Sequence, residues 1–169
     1  MLEEKTCCFV SCKTVLDTPL LRKNIQSAIT NLIHKRNVRT FLFGANGKFE
    51  SICLEIIYML KLAYPFLVAV QIQPLGAKCI APNTNYAYDK KLTPQILRYP
   101  NELSTTELNE LLIDSSDFAI FYKKDTPIKK TDCRSTFSRS YSYALNCTCS
   151  QNKRLEKIYV CSSIDPVDI

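Results

Sequence analysis

No apolar run in this sequence reaches the roughly 18 to 20 residues that a helix needs to cross a bilayer. Met1 to Lys5 carry two glutamates and no apolar stretch, so a secretory signal is not expected either. Together these absences predict a cytoplasmic protein with no membrane partner. Excess charge of one sign is also scarce: the net charge is +6, from 22 Lys+Arg against 16 Asp+Glu. That balance suits an anionic ligand, but nucleic acid normally asks for a clustered basic stripe, so no nucleic-acid partner is expected. Among the nine cysteines there is no Cys-x-x-Cys pair. Cys147 and Cys149 form a Cys-x-Cys, Cys7, Cys8 and Cys12 a loose N-terminal group, and the sole histidine, His34, falls within a helical pattern. Structural zinc wants paired ligands about two to four residues apart on two knuckles. No metal and no other cofactor is therefore expected, and the thiols read as reduced and packed.

What is present is an ordinary globular composition. Of 169 residues, 46% are hydrophobic and 22% charged, which excludes disorder, collagen and a coiled coil for the whole chain. The length suits one domain over residues 1–169, and no repeat or low-complexity tract divides it. Homo-oligomerisation is left open by the sequence.

Apolar runs and helical periods alternate along the chain. Thr6 to Ser11 is a short run of apolar and β-branched residues and reads as a buried strand. Asp17 or Thr18 can cap a helix with Pro19 in its first turn, and Leu21, Ile25, Ala28, Ile29, Leu32 and Ile33 carry its apolar face to about Arg36. Val38 to Phe43 reads as a second strand, broken by Gly44-Ala45-Asn46-Gly47. Phe49, Ile52, Cys53, Ile56 and Leu60 mark a second helix, reaching about Ala63 and stopped before Pro65, and Phe66 to Ile72 a third strand. Near-continuous apolar strands alternating with helices predict a mainly parallel sheet of about five strands, covered on both faces in a three-layer α/β, Rossmann-like arrangement. Pro74 to Pro100, rich in proline, asparagine and tyrosine, reads as a long loop. A helix is expected over Leu103 to Ser115, with Ser104 and Glu107 at capping-box spacing. Strands are expected at Asp117 to Tyr122 and Lys157 to Cys161, with a polar loop over Lys123 to Arg134 and a helix over Ser135 to Leu145 between them.

In open parallel sheets, ligands bind beyond the carboxyl ends of the strands. Ser11-Cys12-Lys13, Gly44 to Lys48, Tyr122 and Arg134-Ser135-Thr136 all fall there. In the Gly44 turn, two glycines let a ligand approach the backbone, a helix start offers N–H groups, and Lys48 adds a cation. The alternative is that the glycines only make a tight turn. An anion is expected at Gly44, Ala45, Asn46, Gly47 and Lys48, supplemented by Ser11, Lys13, Tyr122, Ser135 and Thr136. Tyr86 or Tyr88 either covers a base or packs the loop.

Three segments, in this order, resemble the SLOG superfamily of Rossmann-like nucleotide-ligand proteins, in particular its small bacterial branch. They are Cys7-Cys8-Phe9-Val10-Ser11-Cys12-Lys13, then Phe43-Gly44-Ala45-Asn46-Gly47-Lys48-Phe49-Glu50, then Leu60-Lys61-Leu62-Ala63-Tyr64-Pro65. They are similar to Cys-Cys-Phe-x-Gly-His-Arg, Gly-x-x-Gly-x-Phe-Asp and Leu-Lys-x-x-Tyr-Pro. Asp114-Ser115-Ser116-Asp117 and the apolar run to Tyr122 resemble a later segment, so the likeness covers about residues 6–161. It implies a nucleotide-derived small molecule as ligand. The departures are specific. Gly-His-Arg becomes Ser11-Cys12-Lys13, an expected Arg-Asn-Arg becomes Glu107-Leu108-Asn109, and Gly-Gly-(Thr/Ala) becomes Cys133-Arg134-Ser135-Thr136. The Pro-Gly-Gly-x-Gly-Thr-x-x-Glu stretch of the phosphoribohydrolase relatives is absent.

Three functions follow. One is binding or sensing of a nucleotide-derived anion. The second is a structural or regulatory relic of the fold, in which side chains such as Cys12, Phe43 and Phe49 fill the cleft. The third is a nucleotide N-glycosidase, which needs a carboxylate beside an oxocarbenium-like centre. Glu50 is the catalytic candidate, with Glu55 one turn on. The competing role for Glu50 is to complement the helix dipole from the first turn.

Overall fold

The computed structural model describes residues 3–11, 14–44, 47–73, 86–93, 104–122, 139–140, 143–144 and 155–160. Among these residues the chain runs through β1 (Lys5–Val10), α1 (Pro19–Arg36), β2 (Val38–Phe43), α2 (Lys48–Leu60), β3 (Val68–Ile72), β4 (Lys90–Leu92), α3 (Thr105–Asp114), β5 (Phe118–Tyr122) and β6 (Glu156–Val160). The strands form one six-stranded sheet in the order β4-β3-β2-β1-β5-β6, and every pairing is parallel.

The fold is the α/β, Rossmann-like arrangement expected, with one strand more than the five anticipated. The additional strand is β4, inside the stretch read as loop. Lys90, Lys91 and Leu92 are all exposed, so no apolar alternation marks them. They become a strand by pairing with the edge of β3, Val70 opposite Lys90 and Ile72 opposite Leu92. Of the helix expected over Ser135 to Leu145, residues 139–140 and 143–144 are helical and the others lie outside the described residues.

Strand side chains alternate between two cores. Cys7, Phe9, Phe41, Phe43, Ile120 and Tyr122 face α1 and α2, while Cys8, Val10, Leu42, Ala119 and Phe121 face α3. This period of two, with both faces buried, is why the strands read as continuous apolar runs. Capping fixes the helix starts. Thr18, rather than Asp17, accepts the Leu21 N–H at 3.1 Å, with Pro19 opening α1. Ser104 and Glu107 form the reciprocal capping box of α3. At its other end α1 stops on Asn37, in the left-handed region at φ 57°, ψ 34°, with His34, Lys35 and Arg36 in the last turn. Among the described residues no helix is long and apolar enough to cross a membrane.

Strand order decides where a ligand crevice can lie. From β1 the chain winds outward through β2 and β3 to β4, then returns to place β5 on the other side of β1. The switch point is between β1 and β5, where connections leave in opposite directions and the sheet's carboxyl edge opens.

Candidate site at the carboxyl edge of the sheet

Ser11 follows β1 and is half-buried. Tyr122 ends β5 and is buried. Its hydroxyl accepts the Leu16 N–H at 3.3 Å, and its ring lies 5.6 Å from that of Phe49 at the start of α2. Tyr122 thus ties the β1–α1 connection to the end of β5 and to α2. Gly44, Gly47, Lys48 and Glu50 sit beyond β2, one strand from the switch point. Lys13, Ala45, Asn46, Ser135 and Thr136 lie outside the described residues, as does Cys12.

The Gly44 turn is organised around Glu50. This side chain is 6% exposed. One carboxylate oxygen accepts the Gly44 N–H at 2.7 Å and the other the Gly47 N–H at 3.1 Å. The second bond is half of a capping box, a glutamate at the third helical position reaching back to the cap residue. The first extends the same carboxylate across the whole turn. Glu50 therefore holds two of the turn N–H groups that an external anion would use, and its negative charge sits where a phosphate was expected. That arrangement goes further than complementing the helix dipole, and it commits one lone pair of each oxygen to the backbone.

The two glycines have different reasons to be glycine. Neither needs a left-handed φ. A Cβ on Gly44 would lie 2.8 Å from Leu112 Cδ1 and 3.0 Å from Leu108 Cγ. Gly44 makes room for α3, not for a ligand. A Cβ on Gly47 would meet nothing within 4 Å, so that position is open. Valine at Gly44 should consequently overpack the α3 face. We expect a loss of about 1–3 kcal/mol in urea unfolding, with alanine losing less. An unchanged midpoint for Gly44→Val would show that α3 moves aside freely. The variant is thus unsuitable as a pure binding mutant.

Phe43 and Phe49 are fully buried. The Tyr88 ring lies tilted 5.3 Å from that of Phe43 and the Tyr86 ring tilted 4.7 Å from that of Tyr58, so both tyrosines pack against the body. Burial, and then the nearby Glu50 charge, push the Tyr88 hydroxyl pKa up.

Lys48 is exposed at the first position of α2. It belongs to a mixed-charge group that sequence reading missed. Arg22 makes two bonds of 2.8 Å to Asp17 and one of 2.9 Å to Glu55. Arg22 holds the Asp17 carboxyl below its ordinary range, and Lys48 adds a smaller pull in the same direction. Glu55 is thus an ion-pair partner between α1 and α2. The partners are partly exposed, so the pair adds at most about 1 kcal/mol.

Cys7, Cys8 and Cys53 are buried free thiols. Burial pushes the Cys7 and Cys53 thiols well up, which favours the neutral thiol over the thiolate. Among the described residues, no group of three or more His, Cys, Asp or Glu is placed to hold a metal ion.

The chain matches no known family model and no curated protein.

Proposed function

We propose that this chain is a binding module for a small, anionic, nucleotide-derived ligand, held at the carboxyl edge where β1 and β5 part. The observation that carries this reading is the strand order, which reverses between those two strands, the place where open parallel sheets bind their ligands. The resemblance to SLOG proteins supports the same edge and the same ligand chemistry. Ser11 and Tyr122 lie at that switch point, and Lys48 adds an exposed cation at the start of α2, where Glu50 already holds the Gly47 N–H. Lys13, Ala45, Asn46, Ser135 and Thr136 complete the proposed set. Binding is preferred to N-glycosidic cleavage because both Glu50 oxygens already accept backbone N–H groups, which makes the carboxylate a weaker base and nucleophile.

A second reading, a structural or regulatory relic of the fold, is favoured by the same carboxylate. Glu50 fills the turn from within, and Phe43 and Phe49 are buried beside it. Thermal-shift screening with nucleotides, nucleotide sugars and cyclic nucleotides separates the two. A binding module should be stabilised by at least one compound. Lys48→Ala should then weaken that compound by about 1–3 kcal/mol, the range of a charge-assisted hydrogen bond. Stabilisation that is equal in the wild type and Lys48→Ala would place the ligand away from this turn. No shift with any compound would favour the relic.

A further inference from the structure

Charged and aromatic side chains also converge at the opposite edge of the sheet, where β1 and β2 begin and α1 ends. A groove of about 810 Å³ there is lined by Lys5, Lys35, Arg36, Arg39, Tyr64 and Phe66 among others. Its cations differ in their partners. Lys5 pairs with Glu3 at 3.1 Å and lies 3.8 Å from Asp117, and Arg36 pairs with Glu156 at 3.1 Å. Arg39 and Lys35 have no carboxylate partner among the described residues.

Arg39 is nevertheless immobilised. Its guanidinium carbon lies 3.7 Å from the Phe66 ring centroid, and its Nε donates to Asn37 Oδ1 at 3.0 Å. Asn37 is fixed in turn, as the left-handed cap of α1 whose Nδ2 donates to the Glu3 carbonyl at 3.1 Å. Stacking and the Nε bond leave the two terminal nitrogens of Arg39 without a protein acceptor among the described residues. A guanidinium held in this way loses little entropy when it grips an oxyanion with a fork of N–H groups.

The surroundings suit the same ligand. The α1 carbonyl end would repel an anion, but His34, Lys35 and Arg36 occupy that last turn, and the helix holds no Asp or Glu. Phe66 is 42% exposed. Tyr64 is half-buried, its ring 5.3 Å from that of His34 and its hydroxyl 2.7 Å from His34 Nε2. A planar ring can therefore lie against an aromatic wall while its phosphate meets Arg39 and Lys35. The volume is within the range of about 300–1,000 Å³ usual for small-molecule sites.

We infer that this groove binds a phosphate carried on a planar heterocycle, with Arg39 as the forked anchor and Lys35 as the second cation. A free mononucleotide and the phosphorylated end of a nucleic-acid strand share this chemistry. The site is separate from the one proposed above, because the two lie at opposite ends of parallel strands.

The full chain would be titrated by calorimetry with adenosine monophosphate, inorganic phosphate and a short 5′-phosphorylated single-stranded oligonucleotide. Adenosine monophosphate should bind more tightly than phosphate. Arg39→Ala should weaken it at least about tenfold, and Arg39→Lys should also weaken it, because an ammonium lacks the fork. Lys35→Gln, on an exposed side chain, should weaken it severalfold with an unchanged melting temperature. It decides the matter should Arg39→Ala fold poorly. Lys48→Ala should leave this affinity unchanged, so the two sites stand or fall separately. An oligonucleotide that binds more tightly than the mononucleotide, with a steep loss on adding salt, would identify the strand as the source. Equal or weaker binding would identify the free nucleotide. No binding of any of the three probes, or affinity untouched by the Arg39 and Lys35 substitutions, would overturn the inference.

Discussion

Replacing Glu50 with alanine should destabilise the protein by about 3–5 kcal/mol, although this residue stands where catalysis was expected. The substitution removes an ionised acceptor from two N–H groups, those of Gly44 and Gly47. Each hydrogen bond to a charged group contributes about 1.5–3 kcal/mol, and the Gly44 amide is buried, so water replaces the acceptor poorly. Glu50→Gln should lose less, since its amide oxygen can still accept one of the two bonds while the NH₂ group faces the other donor. Urea unfolding of both variants measures this ordering. A catalytic carboxylate predicts the reverse: stability nearly unchanged in both variants and hydrolysis of an N-glycosidic substrate abolished. A loss under about 1 kcal/mol for Glu50→Ala would therefore reopen the enzymatic reading.

Phe9→Ala should have an effect of similar size, about 3–5 kcal/mol, from the core rather than from the turn. Phe9 is on β1, at the centre of the sheet, and is 1% exposed. Its ring lies 5.0 Å from Phe43, 6.0 Å from Phe41 and 6.3 Å from Phe49, the last pair edge to face. Alanine removes the common member of three aromatic contacts and leaves a cavity between the sheet and α2. Domains of this size are stable by about 5–15 kcal/mol, so the variant should approach unfolding at 37 °C. Phe9→Leu, which restores much of the volume, should lose clearly less. Equal losses for leucine and alanine would mean that ring packing is not what the site rewards. Because Phe49 carries this cluster to Tyr122, the same substitution should also loosen the carboxyl edge.

The carboxyl edge was legible in outline. The expected residues Ser11, Gly44, Gly47, Lys48 and Glu50 lie beyond strand ends and Tyr122 is the last residue of β5, as alternating strands and helices implied. The use made of them was not legible. Gly44 reads in sequence as a place where a ligand approaches the backbone, yet the close approach is by Leu108 and Leu112, far along the chain. Glu50 reads as a first-turn acid, and nothing local indicates that it reaches back to Gly44. The groove at the other edge brings together Lys5, Lys35, Arg39 and Phe66 from four separate segments. Its one sequence signal is α1, where Arg22, Lys23, Lys35 and Arg36 occur without an acidic residue.

The sequence by itself determined five of the six strands, the three helices between them, the Ser104 and Glu107 capping box and the parallel, doubly covered sheet. Those follow from local periodicity: apolar runs for strands buried on both faces, three- and four-residue spacing for helices, and Thr18, Ser104 and Glu107 satisfying N–H groups within one turn. Tertiary structure alone decided the strand order, the sixth strand and the partners of polar groups. Lys90–Leu92 is a strand only because β3 offers it an edge, and Glu50 is a brace only because β2 ends within reach of α2. The physical reason is range. Burial patterns repeat over a few residues and can be read along the chain, whereas a hydrogen bond or ion pair depends on which distant segment the fold brings within about 3 Å.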